Sequence, residues 1–193
     1  MILVIDNYDS FVYNIVQYVG YYYQSLKIFR NDKINIENIK KLNPNGIILS
    51  PGPGRPENSG ICLDIMKNLY NRIPILGICL GHQIIGQHFG AQIINANQII
   101  HGKTSNIFHE QSQIFYNINS PFKATRYHSL IIDNTTMPDS LKSIAKTKDN
   151  IIMAVEHIKY PIVGLQFHPE SILTEKGKQI IKNFLIYYAK IKI

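Results

Sequence analysis

The sequence predicts an α/β fold: one domain built on an open, mostly parallel sheet with flanking helices and an added antiparallel edge. Three observations lead there. Up to Phe89, short apolar runs alternate with helical stretches, and strands alternating with helices pair in parallel through right-handed crossovers. From Ala91 to about Ser129 the rhythm changes to short alternating segments punctuated by Gly, Asn and Pro, which reads as hairpins or edge strands. The 193 residues, 45% hydrophobic and 17% charged, suffice for one sizeable core.

The elements follow in order. Ile2 to Ile5 form the first strand, and the turn Asp6-Asn7-Tyr8-Asp9 leads to Ser10, a suitable N-cap for a helix from Phe11. Val12, Ile15, Val16 and Val19 give that helix its apolar face, and Gly20 is its expected end. Leu26 to Phe29 and Gly46 to Leu49 are the second and third strands, the latter ending at Ser50-Pro51. A helix around Leu63 to Tyr70, a buried strand from Pro74 to Ile78 and a helix from near Gly81 to about Phe89 come next. Ile144-Ala145, Ile151 to Glu156 and Ile162 to Phe167 supply further strands. A last amphipathic helix, about Glu175 to Ala189, turns Ile180, Ile181, Phe184, Leu185 and Tyr188 inward.

Composition removes several classes of function. No run approaches membrane-spanning length, and the apolar start ends at Asp6 without a basic leader, so it reads as a strand and not as a signal peptide. The net charge of +7 invites a nucleic-acid reading, but the basic residues are dispersed, without a tail or a block of like charge. Two cysteines, Cys62 and Cys79, are too few for a disulfide framework. Cys62, between Ile61 and Leu63 in an expected helix, reads as core.

Three loops at strand ends carry chemistry. Gly77-Ile78-Cys79-Leu80-Gly81-His82-Gln83 places a cysteine between a strand and a helix, with glycines two residues before and after it. This is the pattern of a nucleophile elbow, whose following helix N-terminus favours a thiolate; a buried cysteine in a Gly-containing turn is the bland alternative. Gln166-Phe167-His168-Pro169-Glu170 offers His168 as a base and Glu170 to orient it, against the alternative of an exposed strand-end pair. Ser50-Pro51-Gly52-Pro53-Gly54 is a rigid loop, or a plain turn. Backbone N–H groups of Gly54 and of Leu80 are the candidate oxyanion hole. Both Cys79 and His168 fall at strand C-termini, the edge at which open α/β sheets bind ligands.

Taken together, these motifs resemble the class I (triad) glutamine amidotransferases. Asp6-Asn7-Tyr8-Asp9-Ser10-Phe11, His101-Gly102-Lys103 and Tyr127-His128-Ser129-Leu130 are similar, more narrowly, to the glutaminase subunits of anthranilate synthase and aminodeoxychorismate synthase. The resemblance covers essentially the whole chain and implies a flavodoxin-like sheet. It implies Cys79 as nucleophile, His168 as acid/base and Glu170 as its partner, with glutamine held by Gly52, Pro53, Gly54, Gln83, Ser129 and Leu130. It further implies ammonia delivery to a chorismate-binding synthase subunit, component I of either enzyme. No cofactor is expected in this chain, and Mg2+ only in that partner; neither nucleic acid nor membrane is an expected partner. The expected location is the cytoplasm, or the plastid stroma for an organelle-encoded chain.

Other residues and readings stay open. His82 follows Cys79 too closely to be its base and reads as structural. His101 and Lys103 contact the partner or cap an edge strand, His128 packs or binds, and Asp9 and Ser10 are loop and cap residues or interface. GMP synthetase and the carbamoyl-phosphate synthase small chain resemble this sequence through the same triad, but the ATP-handling domain of the one and the extra N-terminal domain of the other are not expected here. A catalytically silent regulatory subunit on the same fold is the non-enzyme alternative.

Overall fold

The computed structural model describes residues 1–96 and 100–193. In chain order it contains β1 (Ile2–Asp6), α1 (Val12–Tyr22), β2 (Leu26–Arg30), α2 (Ile36–Leu42), β3 (Gly46–Leu49), α3 (Cys62–Leu69), β4 (Ile75–Ile78) and α4 (Leu80–His88). There follow β5 (Ile93–Asn95), β6 (Lys103–His109), β7 (Phe122–Arg126), β8 (Leu130–Ile132), β9 (Leu141–Lys146), β10 (Ile152–His157), β11 (Ile162–Leu165) and α5 (Gly177–Asn183). Nine strands form one sheet in the order β2-β1-β3-β4-β11-β10-β9-β6-β7, while β5 and β8 pair separately. From β2 to β11 the neighbours are parallel, and from β11 to β7 they are antiparallel. The expected parallel sheet with an antiparallel edge is therefore what forms. None of the described helices is long and apolar enough to cross a membrane.

The parallel strands are apolar at successive positions because helices cover both of their faces. Alternate side chains of β1 go to opposite layers: Ile2 and Val4 pack with Val12, Ile15 and Val19 of α1 and with α5, while Leu3 and Ile5 pack with Ile39, Ile65 and Ile84 of α2, α3 and α4. A side chain enlarged or truncated in either layer therefore disturbs a dense interior. The order of the sheet places β4 directly beside β11, in parallel and with Ile78 level with Leu165. Whatever follows these two strands emerges at one edge.

Four details depart from the sequence-based expectations. The cap of α1 is not Ser10: Phe11 holds the N-cap position without a side-chain bond, and Asp9 Oδ2 accepts from the Phe11 N–H at 2.8 Å. Nor does α1 stop at Gly20. It runs to Tyr22, since a glycine inside a helix costs only about 1 kcal/mol against alanine, and the Tyr23 N–H still reaches the Val19 carbonyl at 2.8 Å. The helix α2 has no counterpart in the expectations, because seven residues with only Ile39 buried show no apolar periodicity. Its caps were nonetheless written in the sequence, with Asn35 Oδ1 accepting from Asn38 N at 2.9 Å and Asn43 in the left-handed conformation. Finally, the last helix starts at Gly177 and passes at Phe184 into a π-helical turn ending at Tyr188. Phe184, Leu185 and Tyr188 remain buried as expected.

Candidate active site

Cys79 sits between the end of β4 and the start of α4 with φ +52° and ψ −97°, a left-handed backbone that a non-glycine residue adopts only under constraint. Two glycines supply the room. A Cβ at Gly77 would collide with the Gly81 carbonyl, and a Cβ at Gly81 with the carbonyl of Leu49 on β3. The turn is locked to β11 by the Cys79 N–H, which donates to the Leu165 carbonyl at 2.7 Å. Leu80 opens α4 directly after Cys79, so its N–H has no intrahelical acceptor and lies at the positive end of the helix dipole.

His168 follows β11 and is anchored from the antiparallel side. Its N–H donates to the Thr125 carbonyl of β7 at 3.0 Å, and Thr174 Oγ1 donates to its carbonyl at 2.6 Å. The added edge thus holds the loop that carries the candidate base. His168 Nδ1 lies 2.6 Å from Glu170 Oε1, and both side chains are buried. Burial by itself would depress the ring's pKa, but the adjacent Cys79 and then Glu170 outweigh it and hold His168 well above the usual histidine range. The arrangement favours the imidazolium form of His168. Among the described residues, His168 Nε2, the ring nitrogen turned away from Glu170, meets no hydrogen-bond partner.

The loop after β3 is clamped by Asn7, a residue to which the sequence assigned no role of its own. Its backbone N–H donates to Ser50 Oγ and its Nδ2 to the Ser50 carbonyl, both at 2.9 Å. The Asn7 Oδ1 in turn accepts from Asn31 Nδ2 at 3.0 Å and from Cys62 Sγ at 3.1 Å. Cys62 is therefore a buried structural thiol, its pKa pushed up to about 12 by desolvation. Gly54 adopts φ +82° and turns the loop over the site.

Gly52, Pro53, Gly54, Cys79, Leu80, Gln83, Tyr127, His128, Ser129 and Leu130 surround one cavity of about 150 Å³. That is the room of about five waters, suited to a small amino acid and not to a nucleotide. Every residue that the resemblance assigned to glutamine lies on this wall. The two hydrogens of Gln83 Nε2 are directed at the Leu130 carbonyl at 3.1 Å and at Gln166 Oε1 at 3.3 Å, which leaves its oxygen for a ligand. Gln166, a second residue absent from the expected site, lies fully buried with Nε2 3.6 Å from Cys79 Sγ. Its position in the sequence next to Phe167-His168 was the one available signal.

A second cavity of about 290 Å³ also reaches Cys79 and is lined by Asp9, Phe11, His101, Tyr127 and His168 among others. Asp9 there has its pKa raised, first by burial and further by the charge of Glu170. Tyr127 belongs to the walls of both cavities and meets His168 edge-on, with ring centroids 5.0 Å apart. His101 packs against Tyr127, whereas Lys103 pairs with Arg126 on the β6–β7 ladder. His128 accepts from Arg126 Nε at 3.0 Å, and burial followed by the Arg126 charge depresses its pKa to about 3, so it stays neutral. His82 is wholly buried against Gly164, its pKa lowered to about 4 by desolvation, as befits a structural residue. A roomier hollow of about 600 Å³ beside His109, Phe115 and Tyr116 is lined by no cysteine and no histidine–carboxylate pair, so size alone does not mark the site.

Comparison with known proteins sets this geometry in a family. The glutamine amidotransferase class-I model matches residues 3–188. Anthranilate synthase component 2 of Cyanophora paradoxa is 56% identical over 186 residues, covering 96% of this chain and 98% of that one. The aminodeoxychorismate/anthranilate synthase component 2 of Bacillus subtilis (strain 168) is 48% identical over 190 residues, with 98% of each chain covered. The bifunctional protein TrpGD of Thermotoga maritima is 52% identical over 186 residues, but this chain spans only 32% of its length. Among solved structures, one from Thermoplasma acidophilum, assigned as part of a GMP synthase, superposes with a TM-score of 0.86 at 27% identity, covering 98% of this chain and 94% of that one.

Proposed function

This chain belongs to the class-I glutamine amidotransferase family, and from that premise we propose that it is the glutaminase subunit of anthranilate synthase. In this reading it hydrolyses glutamine and passes the ammonia to a chorismate-binding component I for tryptophan biosynthesis. The observation that carries the chemistry is a cysteine held at positive φ on the end of β4, beside a buried His168–Glu170 pair beyond the end of β11, with Cys79 and His168 both on the wall of the 290 Å³ cavity and Cys79 also on the wall of the 150 Å³ one.

The mechanism follows from the charges. Cys79 Sγ attacks the side-chain amide carbon of glutamine, forming a carbon–sulfur bond and pushing negative charge onto the amide oxygen. In this reading the N–H groups of Leu80 and Gly54 receive that charge. His168 gives its proton to the departing nitrogen, the carbon–nitrogen bond breaks, and ammonia leaves a γ-glutamyl thioester on Cys79. Water, deprotonated by the now neutral His168, then cleaves the thioester to glutamate and regenerates the thiolate. Glu170 holds the ring in one orientation and stabilises its charged form. Gly52, Pro53, Gly54, Gln83, Ser129 and Leu130 form the walls against which glutamine rests.

The name of the Bacillus relative joins two pathways, so a subunit shared with aminodeoxychorismate synthase is the second reading. Affinity capture from the native lysate, with mass identification of the partner and a test of the complex on glutamine plus chorismate, separates them. Anthranilate as product supports the first reading, and aminodeoxychorismate selects the second. A complex without chorismate turnover refutes both.

A further inference from the structure

Gln166 touches the candidate nucleophile, yet the hydrolysis described above assigns it no part. Its backbone is fixed by an N–H donated to the Met153 carbonyl at 2.8 Å, so the side chain is aimed by the sheet and not by solvent. A chain of three contacts runs from the cavity wall to the sulfur: the Leu130 carbonyl accepts from Gln83 Nε2 at 3.1 Å, Gln166 Oε1 accepts from the same nitrogen at 3.3 Å, and Gln166 Nε2 points to Cys79 Sγ at 3.6 Å.

The sense of this chain follows from its first member. A backbone carbonyl only accepts, so Gln83 must turn its NH2 toward Leu130. Reversing Gln83 would set its oxygen against the Leu130 oxygen, and reversing Gln166 alone would set two NH2 groups against each other. Both amides are buried, where an unpaired donor or acceptor is costly. One arrangement therefore satisfies every contact, and it ends with an N–H on the sulfur. A thiolate accepts such a bond far better than a thiol does.

We propose that Gln166 is a positioning residue for the hydrolysis, holding an N–H donor on Cys79 Sγ in a sense dictated by the Leu130 carbonyl through Gln83, and thereby favouring the thiolate. The proposal rests on Cys79 being the nucleophile. It also joins the wall of the cavity to the state of the sulfur, since Leu130 belongs to both.

The test reads the thiol directly. Cys79 of the full chain is alkylated with iodoacetamide across a pH series, and the labelled peptide is quantified by mass. The titratable groups facing Cys79 are His168, Asp9, His101, Tyr8 and Tyr127 across one cavity and His128 and again Tyr127 across the other, and all are retained in the variants. In Gln166→Met, of similar length but without a donor, the midpoint of alkylation should rise by about one pH unit, and the rate at pH values below the native midpoint should fall about tenfold. With component I present, kcat for glutamine should fall about tenfold with little change in KM. In Gln166→Glu the midpoint should rise further. Unchanged midpoints in both variants overturn the proposal, even if turnover falls.

Cys62 is the internal control, because its burial keeps it unreactive while the fold is intact. Should it become reactive in Gln166→Met, the shift is required instead of Gln83→Met, which leaves Gln166 in place but without the contact that sets its sense; an unmoved midpoint there overturns the proposal equally. A shifted midpoint in a chain that hydrolyses no glutamine with any partner would sustain the relay and sink the assigned activity.

Discussion

Replacing Glu170 by glutamine removes one charge and leaves the shape. In the native site Glu170 Oε1 accepts from His168 Nδ1 at 2.6 Å, with 4% and 1% of the histidine and glutamate side chains exposed, so water screens the contact little. A hydrogen bond to a charged group in such a place is worth about 1.5–3 kcal/mol, and the glutamine oxygen retains part of it as a neutral acceptor. The loss falls on the imidazolium that carries the proton for the departing nitrogen and re-forms as His168 deprotonates water, so it should appear in kcat as roughly a ten- to hundredfold decrease with KM little changed. The new NH2 enters where Glu170 Oε2 lacks a partner among the described residues, so none of the described bonds is broken. Glu170 is also one of the groups that raise the pKa of His168, and its neutralisation should move the alkaline limb of the pH–rate profile to lower pH. The assay is glutamate release by the complex with component I, measured across pH. Loss as deep as that of His168→Ala, or a profile that does not move, would refute the assignment of Glu170 as an orienting and stabilising partner.

Other outcomes follow from the same structure. Cys79→Ser should abolish glutamine-dependent synthesis by the complex while leaving ammonia-dependent synthesis intact; loss of both would make Cys79 structural. Gly81→Ala forces a Cβ into the Leu49 carbonyl and should destabilise the fold by about 1–3 kcal/mol, with a larger loss of activity than Tm alone accounts for, because the elbow itself moves. Acid should destabilise the protein through His82 and His128, whose native pKa values of about 4 and 3 lie below the unfolded value of 6.5. Their contributions are fully present above pH 6.5 and weaken as pH falls, by roughly 1.4 kcal/mol per pH unit for each. His168 acts in the opposite sense, since its raised pKa gives stability that is complete below pH 6.5 and is lost as pH rises through the native value. Thermal melts of His82→Leu should therefore show a shallower fall in Tm between neutral and mildly acidic pH, and an unchanged slope would contradict a buried neutral imidazole.

The order of strands and helices, the parallel class and the antiparallel addition could be read from the chain because apolar runs, breaks and amphipathic faces are local patterns. So could the candidate triad, because an elbow needs its glycines at fixed spacing and a His-Pro-Glu turn carries both partners within three residues. The departures arose where a local signal was weak or was outvoted: Gly20 did not end α1, and α2 was too short to show a period. Only the tertiary structure decided the rest. The adjacency of β4 and β11 brings residues 89 positions apart in sequence to one edge, and β7 pins the loop of the candidate base from outside the parallel sheet. Asn7 and Gln166 are polar residues to which no motif gives a role, and their importance lies in being buried with defined partners. Burial and partnership are properties of the folded surroundings, set by long-range packing, and no short stretch of sequence contains them.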